Sequence, residues 1–148
     1  MTHAPGKLSR IREQAAPYFG AFGLSGFEQH YPGQLSGGMR QRAALLRTYL
    51  FASDIMLLDE PFGALDAITR RELQLWLLST LDQYRASVLL ITHDVEEALL
   101  LSDRVYVLTE RPARVKEEIK VQLPRPRTRD MLTGKEFIDL KRKLLEIL

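Results

Sequence analysis

The chain has 148 residues, 45% of them hydrophobic, which suffices for one domain with a modest core and argues against disorder. It holds no cysteine, which excludes disulfides and thiolate metal sites, and its three histidines (His3, His30, His93) are not spaced as zinc ligands. The net charge of +2 is uneven: residues 1–110 carry ten basic and thirteen acidic side chains (−3), residues 111–148 eleven and six (+5), and the acidic residues interleaved in that tail make it a solvated face rather than a nucleic-acid or membrane patch.

No apolar run reaches membrane-spanning length and MTHAPGK lacks the apolar stretch of a signal peptide, so a soluble intracellular protein is expected. Residues 8–24 read as an amphipathic helix interrupted near Pro17 and Gly20, followed by the loop SGFEQHYPG. From Gly37 to about Leu50, Met39, Ala43, Leu46 and Leu50 recur at helical spacing, and Ser53-Asp54 breaks the run. IMLLDE then reads as a buried strand. Residues 66–84 predict a long helix with Leu65, Ile68, Leu73 and Leu77 toward a core. SVLLITHD is a second apolar strand, VEEALLL a short helix, RVYVLT a third strand, and VKEEIKVQL alternates as an edge strand does. PRPRTRD is an extended linker, and residues 135–148 form a last amphipathic helix. Apolar strands alternating with helices indicate an α/β fold with a largely parallel sheet. Ligands bind such sheets at the carboxyl ends of the strands, where Asp59-Glu60 and His93-Asp94 both lie.

Three stretches carry candidate chemistry. Asp59 and Glu60 end an apolar strand and read either as a strand-end turn or as a hard oxygen ligand for Mg²⁺ (Asp59) beside a base for an attacking water (Glu60). His93 follows the next strand; it reads as a satisfied structural residue or as a donor to a γ-phosphate oxygen. Ser36-Gly37-Gly38 precede a helix. They read as an ordinary N-cap or as a helix N-terminus left bare of side chains so that a phosphate can approach the backbone.

In this order, the segments resemble the nucleotide-binding subunit of an ABC transporter over roughly residues 8–148. LSGGMRQR is similar to the family's signature motif, IMLLDEP to Walker B, GALD to the D-loop and ITHD to the H-switch. The resemblance implies a P-loop NTPase of ABC type, with 8–52 part of a helical subdomain, 53–123 the C-terminal part of the catalytic core, and 124–148 a linker and C-terminal helix. It implies ATP and Mg²⁺ as cofactors, Asp59 as the metal-associated aspartate, Glu60 as catalytic base and His93 as γ-phosphate sensor. Ser36, Gly37, Gly38 and Gln41 would contact ATP held by a second subunit, and Gly63 to Asp66 would pass signals across that dimer. Met39 stands where many relatives have Gln, with Gln41 two places on; no loss is expected, because the backbone makes the contact. Implied partners are a second nucleotide-binding subunit, transmembrane permease subunits and, indirectly, a solute-binding protein. No nucleic acid is implied, and the place is the inner face of the cell membrane. FGALDAITR and LPRPR are similar to importers of nitrate, sulfonate, taurine or pyrimidine-type vitamin precursors.

The departure is the absence of any G-x-x-x-x-G-K-[ST] phosphate loop; Gly6-Lys7 is followed by Leu8 and has no earlier glycine at the right spacing. The adenine-stacking aromatic and the Q-loop are also missing. The chain is therefore expected to be a C-terminal part of such an ATPase and inactive alone. The rivals are a DNA-repair or chromosome-organising ATPase, which would need a heptad coiled coil that residues 8–34 lack, and a non-catalytic interaction module. In the family, the phosphate-loop strand lies between the strand ending at His93 and RVYVLT. Without it, the two strands are expected to pair directly or, preferably, to drive self-association.

Overall fold

The computed structural model describes residues 5–52, 55–84 and 87–148, leaving out the side chains of residues 5–10 and 82. The helices are α1 (Pro5–Phe19), α2 (Gly37–Phe51), α3 (Ala67–Tyr84), α4 (Val95–Leu101) and α5 (Lys135–Ile147), and the strands β1 (Ile55–Asp59), β2 (Ser87–Ile91), β3 (Arg104–Leu108) and β4 (Val115–Lys120). The expected break at Ser53-Asp54 lies outside the described residues. α1 runs through Pro17 and ends at Phe19, so Pro17 does not interrupt it. The following turn does, closed by Gly23 N donating to Gly20 O and by Leu24 N to Phe19 O (3.0 and 2.8 Å), with Gly23 at φ +64°.

The sheet is split among the described residues. β1 and β2 pair in parallel from Ile55↔Ser87 to Asp59↔Ile91, the arrangement the apolar strands predict. β3 instead turns back on β4 as an antiparallel pair, Arg104↔Lys120 to Leu108↔Val115. A hairpin closes a short loop, whereas a parallel partner needs a long crossover. β2 and β3 are not hydrogen-bonded neighbours, so the expected direct pairing of SVLLI with RVYVL is not formed. Nor are β1 and β2 buried on both faces. Met56 and Leu58 are buried, but Ile55, Leu57, Leu89 and Ile91 alternate onto an open face, each more than half exposed.

Two apolar clusters form the core, and α3 belongs to both. Leu73 and Leu77 join Phe22, Leu24, Leu45, Leu46, Met56, Leu58 and Phe62, while Leu78 joins Leu99, Leu100, Val107, Ile119, Phe137 and Leu144. Ile68 is not among them: at about 100° per residue it stands about 140° around α3 from Leu73, and it is 74% exposed. The first cluster is closed by aromatics. Trp76 packs edge-on against Phe22 at 5.3 Å and donates Nε1–H to Ala21 O at 3.0 Å, with the Arg42 guanidinium 4.5 Å over its ring.

The segment PRPRTRD is not a free linker. Arg127 is buried and donates to the carbonyls of Leu100 (2.9 Å) and Ser102 (2.8 Å) where α4 ends, and ion-pairs with Asp103. A cation on the last carbonyls of a helix satisfies acceptors that have no intrahelical partner. The arginine thereby ties this stretch to the core.

Candidate functional site

The parallel pair delivers its polar groups to one edge. Glu60 N makes a last bond to Ile91 O at 2.9 Å. Glu60 itself then takes φ 45°, a left-handed conformation that costs a residue with a Cβ on the order of 1–3 kcal/mol. Buried Pro61 and Phe62 and the bond from Gly63 N to Glu60 O (3.2 Å) hold that turn. The reward is placement: Glu60 Oε1 accepts from the His93 backbone N–H at 3.0 Å and lies 2.7 Å from His93 Nδ1. The two candidate catalytic side chains, 33 residues apart, therefore touch, and they line one small cleft with Phe62, Gly63, Arg70 and Asp94.

The hydrogen bond to Glu60, followed by its charge, raises the His93 pKa above the ordinary histidine value. A raised folded-state pKa adds stability that is fully present below the unfolded value and fades as pH rises through the folded one. In Glu60→Gln the His93 titration followed by NMR is expected to move down toward ordinary histidine. An unmoved titration would contradict the contact.

Asp59 is the exposed last residue of β1. No cluster of three or more potential metal ligands exists among the described residues. The Asp59 carboxylate is a hard oxygen donor at the end of β1, of the type Mg²⁺ takes beside water and substrate phosphates.

A second, larger cavity of about 400 Å³ lies at the start of two helices. Ser36 does cap α2, its Oγ accepting from Met39 N at 3.2 Å, so the capping reading holds. It does not exclude the other: Ser36, Gly37 and Gly38 also line the cavity. Asp66 caps α3, accepting from Ile68 N and Thr69 N at 3.1 and 3.0 Å, and lines the same cavity. Bonds from the Thr69 backbone and hydroxyl hold the Asp66 carboxyl below its usual range. The positive ends of α2 and α3 thus face one space, a setting suited to an anion. The glycines keep it open, since a Cβ on Gly38 would stand 3.1 Å from Thr69 Cγ2. Gln41, one turn further along α2, is not part of the lining.

Glu60 and His93 therefore form one group, and Ser36–Gly38 with Asp66 another, joined by the short segment 60–66. Sequence reasoning missed Arg42, which lines the second cavity while stacked on Trp76. It also missed Glu97, buried beside His93's turn. Glu97 was legible: with Leu100 and Leu101 three and four places on, it lies on the inward face of α4.

Comparison with known proteins agrees with this geometry. Residues 5–63 match the family model described as ABC transporter. An uncharacterized ABC transporter ATP-binding protein of Methanocaldococcus jannaschii is 50% identical over 142 residues, covering 96% of this chain and 52% of its own length. An aliphatic sulfonates import ATP-binding protein of Bacillus cereus is 42% identical over 123 residues, covering 83% and 48%. The dimeric structure of a bacterial ABC transporter cassette superposes with a TM-score of 0.59 at 28% identity, over 84% of this chain and 51% of that one. The chain spans about half the length of the curated relatives it matches. It belongs to the ABC transporter ATP-binding domain family, of which it carries the C-terminal part.

Proposed function

We propose that this chain supplies two half-sites to an ATP-hydrolysing subunit of an ABC importer, and that it does not hydrolyse ATP alone. What carries the reading is the division of the site: a carboxylate–imidazole pair at the strand ends, and, in a separate cavity, two helix N-termini suited to phosphate. Glu60 is the base. Its Oε1 is held by His93, and its other oxygen takes the proton of the attacking water. His93, charged more readily than an ordinary histidine, faces charge developing on the phosphate. Bound Mg²⁺, held through Asp59, would neutralise phosphate charge. Ser36, Gly37 and Gly38 offer backbone N–H groups to a nucleotide whose other contacts come from a second subunit; Asp66 lines the same cavity, and Gln41 stands outside its lining, one turn further along α2. In this reading residues 8–52 belong to the helical subdomain and 53–123 to the catalytic core. The subunit works against membrane permease subunits at the cytoplasmic face of an importer of nitrate, sulfonate, taurine or a vitamin precursor, a reading the sulfonate-import relative supports. No helix among the described residues is long and apolar enough to cross a membrane.

A nucleotide in such enzymes is held chiefly by a glycine-rich loop and its lysine, a motif this sequence lacks. Calorimetry of this chain with MgATP is therefore expected to give a Kd no tighter than about 1 mM, roughly −4 kcal/mol. Micromolar binding by the monomer would overturn the half-site reading.

A further inference from the structure

The turn that carries His93 is held by residues to which the proposed reaction assigns no part. Thr92 Oγ1 donates to Glu97 Oε2 and accepts from Asp94 N at 3.1 Å. Asp94 Oδ1 accepts in turn from Glu96 N and Glu97 N at 2.9 and 3.1 Å, capping α4. Glu97 is only 4% exposed, and its Oε1 accepts from Gln74 Nε2 of α3 at 3.4 Å, Gln74 being buried too.

Burying a carboxylate is costly, and burial raises the Glu97 pKa against the pull of its bonds to Thr92 and Gln74. An apolar residue would fill α4's inward face more cheaply. What Glu97 secures in exchange is the Thr92 hydroxyl, and through it the backbone on both sides of His93. From α3, Arg70 reaches the same turn: it lies 3.9 Å from Asp94 Oδ2 and donates to Leu65 O at 3.0 Å, next to Asp66. The charged groups around His93 are thus Glu60 from the turn after β1, Asp94 and Glu97 from the α4 side, and Arg70 from α3.

We propose that Thr92 and Glu97 are positioning residues for His93: the buried carboxylate fixes the Thr92 hydroxyl, which holds the 92–94 turn so that His93 N and Nδ1 both reach Glu60 Oε1. The inference rests on the reading of Glu60 and His93 as the reactive pair. It adds that the pair is aligned from beneath by a polar network anchored on buried Glu97 and Gln74 and reaching, through half-buried Asp94 and Arg70, to Leu65 at the edge of the second cavity.

The test uses the full 148-residue chain and NMR of the His93 imidazole nitrogens, whose shifts report the Nδ1 contact to Glu60. Thr92→Val keeps shape and charge but removes the hydroxyl. It is expected to abolish the Nδ1 signature and to speed Asp94 amide exchange about tenfold, the loss of one hydrogen bond, while thermal unfolding stays cooperative. Thr92→Ser is expected to restore both. If Thr92→Val does not fold, Thr92→Ala removes the same hydroxyl without an added methyl. A hydroxyl-free variant that folds and keeps the Nδ1 signature overturns the positioning role. If that signature is lost only in Glu60→Gln, the reactive pair stands and the positioning role alone fails. If the wild-type chain shows no such signature, both fail.

Discussion

Glu60→Gln in a full-length subunit carrying this chain is expected to lower steady-state ATP hydrolysis by at least ~100-fold, the usual size of general-base effects. ATP binding should be little changed. The amide keeps the shape of the side chain and an oxygen to accept from His93 N, at present 3.0 Å away, but it cannot take a proton from water. The left-handed turn at Glu60 persists, because buried Phe62 and the Gly63 N–Glu60 O bond hold it rather than the carboxylate. Hydrolysis rate and nucleotide affinity, measured on the same preparation, separate the two effects. Near-normal turnover removes Glu60 as the base.

Phe137→Ala is expected to destabilise the chain by about 3–5 kcal/mol, a large part of the roughly 5–15 kcal/mol available to a typical domain. Phe137 is 1% exposed and packs with Leu99, Leu100, Ile119 and Leu144, so truncation leaves a cavity where α5 meets α4 and β4. Denaturant unfolding with unchanged slope and a strongly lowered midpoint is the predicted result. A change below about 1 kcal/mol would mean that α5 is an appendage and not part of the core.

Much of the local structure was legible in the residues, for a physical reason: periodicity and punctuation are local. Met39, Ala43 and Leu46 mark α2, Ser36 marks its cap, and the apolar run before Asp59 marks β1. Long-range pairing was not legible. RVYVL is equally apolar whether it joins a parallel sheet or folds back on VKEEIK, and the structure takes the hairpin. Burial of the strand IMLLDE was overestimated for the same reason, since an apolar strand does not state whether both its faces are covered. The buried charges were the hardest to see. Arg127 sits among prolines and arginines that look solvated, yet its guanidinium reaches carbonyls of Leu100 and Ser102 more than twenty residues earlier. At the site, the residue types of Asp59, Glu60 and His93 were readable from their place after apolar strands. The direct contact of Glu60 with His93 was not, because it depends on the left-handed turn at Glu60.

In the proposed division of the site, the Ser36-Gly37-Gly38 helix start meets a nucleotide held by a second subunit. Light scattering of the full-length subunit carrying Glu60→Gln, with and without ATP, measures whether that contact forms. An ATP-dependent dimer is expected in that hydrolysis-deficient background, as is its loss on adding Gly38→Asp, which puts a side chain and a negative charge into the cavity between α2 and Thr69. An equally stable ATP-dependent dimer with Gly38→Asp would leave Ser36 as a helix cap and contradict the phosphate-binding role.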